Sequence, residues 1–255
     1  MTDPVLTETE GPVATIRLNR PEKRNAISLA MYQAMTAALK AAAEDPAVRV
    51  AVIRGGDDFS AGNDIADFLA AGGDAGLKPI LDFLDALSTF PKPVIAGVRG
   101  AAIGIGTTLL LHCDVVLATA SARFALPFVQ LGLVPEAASS LLLPAVAGRL
   151  KASWWLLTGE GFDAEAARDS GLITRLVAEA TLDAEIDAAA SRLAALPPAA
   201  VRQTKALLRA PQEAAVRDAM TREVQAFAAQ LKSAEAKEAF TAFLEKRKPD
   251  FSRFE

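Results

Sequence analysis

The stretch KPVIAGVRGAAIGIGTTLLLHCDVVLATASARFALP, from Lys92 to Pro127, decides the fold. It begins with the strand pattern KPVIAGVRG, which ends in a glycine-rich turn. The apolar segment GTTLLLHCD then predicts a buried helix, and VVLATASARFALP is typical of a strand followed by a turn. Strands that alternate with helices in this order indicate a mixed α/β fold whose sheet is covered by helices.

The preceding part of the chain repeats this alternation. VATIRLN (Val13–Asn19) alternates apolar and polar residues, as a half-buried strand does. LAMYQAMTAALKAAAED (Leu29–Asp45) predicts a helix with Ser28 as its N-cap. VRVAVIRGG (Val48–Gly56) predicts the next strand, and residues 64–87 predict helix with a loop around AAGGDAG.

The pattern changes from about Leu196 onwards. The segments PPAAVRQTKALLR, EAAVRDAMTREVQAFAAQLKS and AEAKEAFTAFLEKRKP predict amphipathic helices without strands between them. The sequence therefore predicts two parts, an α/β core over residues 1–195 and an α-helical C-terminal segment over residues 196–255.

The composition is that of a soluble globular protein. Of the 255 residues, 51% are hydrophobic and 23% are charged. The net charge of −4 gives no general attraction to nucleic acid or to an anionic membrane. Cys113 is the single cysteine, and the first residues lack the pattern of a secretory signal. We therefore expect a cytoplasmic protein with no nucleic-acid or membrane partner.

Two glycine-rich turns follow successive predicted strands, at GDDFSAGNDI (Gly56–Ile65) and RGAAIGIGTTLLL (Arg99–Leu111). Small residues let the backbone turn tightly and leave its N–H groups free to meet a ligand. Two such N–H groups directed at one point would form an oxyanion hole, which stabilises charge on a carbonyl oxygen. The GxGxxG spacing of a dinucleotide site is missing, and no Gly-Lys-Ser/Thr of a phosphate-binding loop follows.

The segment GLVPEAASSLL (Gly132–Leu142) carries a single acid, Glu136, among small and apolar residues. One interpretation is structural: Pro135 suits the first position of a helix, and an acid in the first turn complements the helix dipole. The other is that Glu136 faces an apolar cavity and transfers protons. This segment alone favours the structural interpretation.

Four segments together resemble the enoyl-CoA hydratase/isomerase family, which has the crotonase fold: LNRPEKRNAIS, FSAGNDI, GAAIGIGTTLLLHCDVVLATASARFALPFVQLGLVPE and GEGFDAEAARDSGLITRLV. The resemblance covers nearly the whole chain. It implies a spiral of ββα repeats and a C-terminal helical segment that mediates trimer formation, often as a dimer of trimers. It also implies an acyl-CoA substrate and no cofactor other than the coenzyme A that the substrate carries.

Carried over by position, the resemblance assigns the oxyanion hole to the backbone N–H groups of Asn63 and Ile105. The two glutamates of the family's hydratases correspond here to Thr108 and Phe128, which are expected to line the substrate pocket and cannot serve as bases near neutral pH. Glu136 matches the catalytic base of peroxisomal-type Δ3,Δ2-enoyl-CoA isomerases. The resemblance therefore implies that a double bond in enoyl-CoA is shifted by one glutamate.

The same resemblance implies a site for the coenzyme A moiety. The expected contact residues are Arg24, Ala26, Ala61, Asp64, Ile65, Lys246 and Lys248. No metal site is expected, because the only histidine, His112, lies in an apolar run without ligands at metal spacing. We expect His112 to be a packed core residue.

Two other functions remain open on the sequence. The protein could be an enoyl-CoA hydratase, or catalyse another crotonase reaction, with an atypical base such as Glu136 acting on a bound water. It could also be a non-catalytic acyl-CoA-binding protein. Acyl chain length, pathway and the choice between trimer and hexamer also stay open.

Overall fold

The computed structural model describes residues 3–70 and 74–254, which form a mixed α/β structure followed by helices. The strands are β1 (Val5–Glu10), β2 (Val13–Leu18), β3 (Val50–Arg54), β4 (Val94–Val98), β5 (Ala101–Ile103), β6 (Val115–Thr119), β7 (Arg123–Ala125), β8 (Phe162–Asp163) and β9 (Arg175–Val177). The helices are α1 (Leu29–Glu44), α2 (Ile65–Ala70), α3 (Asp74–Ser88), α4 (Ile105–Thr108), α5 (Ser139–Ala147), α6 (Arg149–Thr158), α7 (Ala164–Ser170), α8 (Leu182–Ala194), α9 (Pro198–Arg209), α10 (Glu213–Leu231) and α11 (Ala234–Leu244).

The main sheet has six strands in the order β1-β2-β3-β4-β6-β9. Only the β1–β2 pair is antiparallel among these strands, and the rest of the sheet is parallel. Parallel strands with both faces covered are expected to be continuously apolar, as in VAVIR of β3 and VIAGV of β4. Successive side chains alternate between faces, so Val52 packs with α8 while Ile53 packs in the larger core on the other face.

The close packing of α8 on the sheet requires Gly97 in β4. A Cβ atom at this position would lie 2.0 Å from Cδ1 of Ile186. The glycine therefore lets the helix approach the sheet within van der Waals contact.

The two glycine-rich turns lie next to each other, after β3 and β4. Isolated bridges pair Ile27 with Asn63 and Ser60 with Ala102, so the segment after β1–β2 and both turns form one layer. Gly100 adopts the left-handed conformation there (φ 58°), and a Cβ atom would lie 2.2 Å from the Asp57 carbonyl oxygen. The second, small sheet, β5-β7-β8, extends this layer and was not predicted.

Several predicted elements are confirmed with adjusted bounds. The side chain of Ser28 accepts a hydrogen bond from Met31 N at 3.3 Å, so it is the N-cap of α1. The buried helix after the second turn is α4, continued by a 3₁₀ helix over Leu109–His112. The loop predicted at AAGGDAG lies partly outside the described residues, at 71–73, and α3 already begins at Asp74.

The predicted helical C-terminal segment is confirmed as α9, α10 and α11. Helix α10 packs on α5, and α11 packs on the 3₁₀ helix Val129–Leu131. Phe227 and Phe240 from these helices enter the main core, so the segment folds back on its own chain. None of the described helices combines the length and the apolar character needed to cross a membrane.

Candidate active site

Glu136 lies in a loop, not in a helix. Helix α5 begins at Ser139, three residues after Glu136, and both Ala137 (φ 61°) and Ala138 (φ 55°) adopt the left-handed conformation. The interpretation of Pro135 and Glu136 as the first turn of a helix is therefore wrong. Two successive left-handed residues interrupt the backbone between the acid and the helix, and sequence patterns do not reveal this conformation in alanine.

The Glu136 carboxyl group is buried, with 8% of the residue exposed. Its Oε1 accepts a hydrogen bond of 2.5 Å from the Thr108 hydroxyl. Its Oε2 is inaccessible to solvent and has no hydrogen-bond partner among the residues that the structure describes. Burial raises the pKa of Glu136 to about 8, against the opposing effect of the Thr108 hydrogen bond, and the negative charge of Glu223 raises it further.

Within residues 3–70 and 74–254, no acceptor binds the backbone N–H groups of the two residues assigned to the oxyanion hole. Ile105 is the first residue of α4, so its N–H precedes the intrahelical hydrogen bonds. The N–H of Asn63 donates to no acceptor in the described part of the chain. Thr108 lies three residues after Ile105, on the same side of one helical turn, and thus brings the Glu136 carboxyl group next to the second turn.

Tyr32 joins the first turn to the same site. Its hydroxyl donates a hydrogen bond of 2.5 Å to Oδ1 of Asn63. Burial raises the pKa of Tyr32 well above its usual value, and the charge of Glu136 raises it further, so the phenol remains a donor. The side chain of Asn63 is thereby fixed while its backbone N–H stays available.

Phe128 and His112 are both buried. Phe128 is 6% exposed and belongs to the main core, at the start of the 3₁₀ helix before the Glu136 loop. His112 is buried, as expected, and its Nε2 lies 2.8 Å from the Ala137 carbonyl oxygen. Burial lowers the pKa of His112 to about 4, so the neutral ring donates this hydrogen bond. No group of metal-ligating side chains occurs among the described residues.

The residues expected to bind coenzyme A come from two segments of the chain. Arg24, Ala26, Ala61, Asp64 and Ile65 lie together: Ala61 N donates to the Arg24 carbonyl oxygen at 2.9 Å, and the Arg20 guanidinium donates to both the Ala26 carbonyl oxygen at 3.0 Å and the Asp64 carboxylate at 2.7 Å. Lys246 and Lys248 are exposed after α11. In the described part of the chain, no hydrogen bond or ion pair joins these lysines to the first group.

Sequence reasoning missed Asp58, which holds the two turns together. Its carboxylate accepts two hydrogen bonds from the Arg24 guanidinium (2.7 and 2.9 Å) and one from Ala101 N (2.7 Å). The hydrogen bond from Arg24 holds the pKa of Asp58 below its usual value. A second ion pair, Arg20 with Asp64 at 2.7 Å, fixes the same layer at the start of α2. Tyr32 and Glu223 were also missed, because their partners are distant in sequence.

Comparison with known proteins decides the family. The family model "Enoyl-CoA hydratase/isomerase" matches residues 8–253. The chain belongs to the enoyl-CoA hydratase/isomerase family. A crystal structure of an enoyl-CoA hydratase/isomerase from Pseudoalteromonas atlantica T6c is similar to it with a TM-score of 0.92 and 41% sequence identity, covering 98% of this chain and 100% of that chain. The expected crotonase fold is thereby confirmed.

Curated relatives of this family member include isomerases and hydratases. Enoyl-CoA delta isomerase 2 of Rattus norvegicus is 38% identical over 211 residues, which are 80% of this chain and 54% of that protein. The chain thus spans about half the length of that relative. 2,3-Dehydroadipyl-CoA hydratase of Escherichia coli K12 is 37% identical over 94% of both chains. The chain thus belongs to a family that contains both activities, and the relatives do not distinguish isomerisation from hydration.

Proposed function

We propose that this protein is an enoyl-CoA isomerase that converts 3-enoyl-CoA to 2-enoyl-CoA with Glu136 as its single base. The observation that carries the proposal is the buried Glu136 carboxyl group, which is bound to Thr108 next to the turn that begins with Ile105. A carboxyl group kept away from water and given a raised pKa is a stronger base than an exposed one.

The reaction needs few groups. Glu136 removes a proton from C2 of the 3-enoyl thioester, and the electron pair moves onto the thioester oxygen. The N–H groups of Asn63 and Ile105 donate hydrogen bonds to that oxygen as it becomes negative. Protonated Glu136 then returns the proton to C4, the double bond lies between C2 and C3, and the base is regenerated. An oxyanion donor of this kind contributes about 10²–10³-fold to the rate.

Hydration is the second candidate, because the curated relatives include proteins named hydratases. Holding a water for addition usually requires a second group beside the base. Thr108 and Phe128 provide no second carboxylate. The carboxylate whose charge acts on Glu136 is that of Glu223, and both of its oxygens already accept hydrogen bonds from backbone N–H groups. This arrangement favours isomerisation over hydration.

Binding and assembly are part of the same proposal. We propose that Arg24, with the surrounding residues of both turns, and the exposed Lys246 and Lys248 contact the phosphates of coenzyme A. The protein requires no cofactor beyond the coenzyme A of its substrate, acts in the cytoplasm, and assembles as a homotrimer or a dimer of trimers.

The test is a panel of 2-enoyl-CoA and 3-enoyl-CoA substrates of several chain lengths, assayed with the wild type and Glu136→Gln. We expect isomerisation by the wild type, and a loss of kcat of at least about 10²-fold in the variant, as for loss of a general base. Affinity for acyl-CoA is expected to change little. Rapid hydration of 2-enoyl-CoA without isomerisation of 3-enoyl-CoA would contradict the proposal, and binding without any turnover would indicate a non-catalytic protein.

A further inference from the structure

The loop that carries Glu136 has an unusual backbone. Ala137 and Ala138 both have positive φ angles, 61° and 55°. The left-handed conformation is unfavourable for a residue other than glycine, because its Cβ atom lies too close to the following carbonyl oxygen. Such a conformation persists where surrounding contacts determine it, so the groups that hold this loop determine where the Glu136 carboxyl group lies.

The C-terminal helix α10 supplies the main contact. The Glu223 side chain is buried, with 6% of the residue exposed. Its Oε2 accepts a hydrogen bond of 2.6 Å from Ala138 N, and its Oε1 accepts one of 2.9 Å from Ser140 N. Ala138 is the N-cap residue of α5 and has no capping side chain, so a carboxylate 85 residues away in sequence performs the capping.

Two further contacts act on the same loop from other sides. The His112 ring binds the Ala137 carbonyl oxygen, and the Ser139 hydroxyl donates to the Glu136 carbonyl oxygen at 2.6 Å. Only Glu223 brings a charge. The carboxylate of Glu223 is also the charged neighbour that disfavours ionisation of Glu136.

We infer that Glu223 is a positioning residue of the active site: its carboxylate fixes the left-handed loop that aims Glu136 at the substrate. The inference rests on the proposed function. It makes the C-terminal segment part of the catalytic apparatus, because α10 holds the loop that carries the base through hydrogen bonds from Ala138 N and Ser140 N. A displacement of about 1 Å in a reacting group can cost roughly 10²-fold in rate, so the loop geometry has direct consequences for kcat.

The variants are Glu223→Gln, Glu223→Asp and Glu223→Ala, with Glu213→Gln as the matched control. Glu213 lies on the same helix, is exposed, and pairs with Arg217. Glutamine keeps the shape of the side chain, but presents an NH₂ group to one of the two backbone donors. We expect Glu223→Gln to lower kcat by about 10-fold to 10²-fold with KM nearly unchanged. Glu223→Asp is expected to retain more activity than Glu223→Ala.

The pH profile and hydrogen exchange separate positioning from general stability. The titratable groups near Glu136 are Tyr32 from α1, His112 from the 3₁₀ helix that follows α4, and Glu223 from α10. The charge of Arg222 in turn acts on Glu223. Removal of the Glu223 charge favours ionised Glu136, so the acid limb of kcat/KM moves to lower pH in Glu223→Gln. Amide exchange at residues 137–142 is expected to become faster, while Glu213→Gln behaves as the wild type.

The outcomes distinguish this inference from the proposed function. If Glu136→Gln retains full isomerisation, the proposed base is wrong. If Glu136→Gln is inactive but Glu223→Gln keeps the wild-type kcat, pH midpoint and exchange rates, the positioning role alone is overturned. If Glu223→Gln does not fold, the test uses Glu223→Asp, which retains the charge on a shorter side chain. A wild-type kcat in Glu223→Asp would then overturn the inference, and a reduced kcat at unchanged KM would support it.

Discussion

Tyr32, the single tyrosine of the chain, links helix α1 to the first glycine-rich turn. Its hydroxyl group contacts the Asn63 side chain, and its ring packs on Phe83 with centroids 5.5 Å apart. The ring is thus held by the core and the hydroxyl by the site. The charge of Glu136 also raises the pKa of Tyr32, so the phenol that binds Asn63 is electrostatically coupled to the proposed base.

Replacement of Tyr32 by Phe tests this link. The variant keeps the ring and removes the donor to Asn63 Oδ1. We expect a stability loss of about 0.5–1.5 kcal/mol, as for one hydrogen bond. We also expect a fall in kcat for isomerisation that exceeds any change in KM, because the Asn63 N–H is then less well fixed. Thermal unfolding and steady-state kinetics on the same sample measure both, and an unchanged kcat would show that Asn63 needs no such support.

The pH dependence of Glu136 makes opposite predictions for activity and stability. Its pKa rises from 4.5 to about 8 on folding, so the unfolded chain loses the proton first. The contribution of Glu136 to the free energy of unfolding therefore falls as pH rises from about 4.5 to about 8 and is then constant. The total fall is on the order of several kcal/mol at most, since one pKa unit corresponds to about 1.4 kcal/mol. In contrast, kcat/KM rises over the same range, because the base must be ionised.

Glu136→Gln is the variant for this prediction. It removes the buried charge, so its melting temperature should exceed that of the wild type at pH 9 and approach it at pH 5. Calorimetry at both pH values provides the measurement. A variant that melts below the wild type at pH 9 would contradict a raised pKa for Glu136.

At the scale of elements, local signals in the sequence predicted much of the fold. The N-cap Ser28, the apolar strands and the glycine-rich turns depend on neighbours in sequence, and the structure has them within a few residues of the expected places. The start of α5 was misplaced because its left-handed residues are alanines and its capping group, Glu223, comes from another helix. Contacts between distant elements, including those of Tyr32 and Asp58, leave no local pattern.

The tail after α11 is attached by its arginines. Arg247 and Arg253 both bind the Glu238 carboxylate, at 2.6 and 2.7 Å. The hydrogen bond from Arg247 lowers the pKa of Glu238 to about 2. Arg247 is thus held by the Glu238 carboxylate, whereas its exposed neighbours Lys246 and Lys248 can meet an anionic ligand.

Binding of acyl-CoA should therefore depend on salt. We expect affinity to fall as ionic strength rises, because the proposed contacts of Arg24, Lys246 and Lys248 with phosphates would be partly exposed and screened over roughly 10 Å at 0.1 M salt. Replacement of both lysines by Gln should reduce this salt dependence, whereas Lys40→Gln, an exposed change on α1, should not. Titration calorimetry at several salt concentrations measures it, and equal slopes for all variants would remove the two lysines from the proposed site.

At the scale of the whole molecule, helix α6 exposes an apolar face. Leu150 is 76% exposed, Trp154 58% and Leu157 72%, and the spacing of four and three residues places them on one side of the helix. A contiguous apolar surface of this kind is unusual for a monomer and typical of an interface. The proposed trimer provides the occupant, a second copy of the chain, and closed symmetry would use the same face in every subunit.

The final prediction concerns this face. If α6 lies in the subunit interface, Leu150→Glu with Leu157→Glu places charges where apolar surface is buried, and light scattering should show smaller species than the trimer or hexamer that we propose for the wild type. The matched control is Lys151→Gln, an exposed change on the same helix, which should leave the assembly intact.

A wild type that is monomeric at micromolar concentration would contradict the assembly itself. A variant that stays trimeric would instead direct attention to the exposed leucines of α9, Leu207 and Leu208. The intact fold of each variant is checked by its thermal transition, so that loss of assembly is not confused with unfolding.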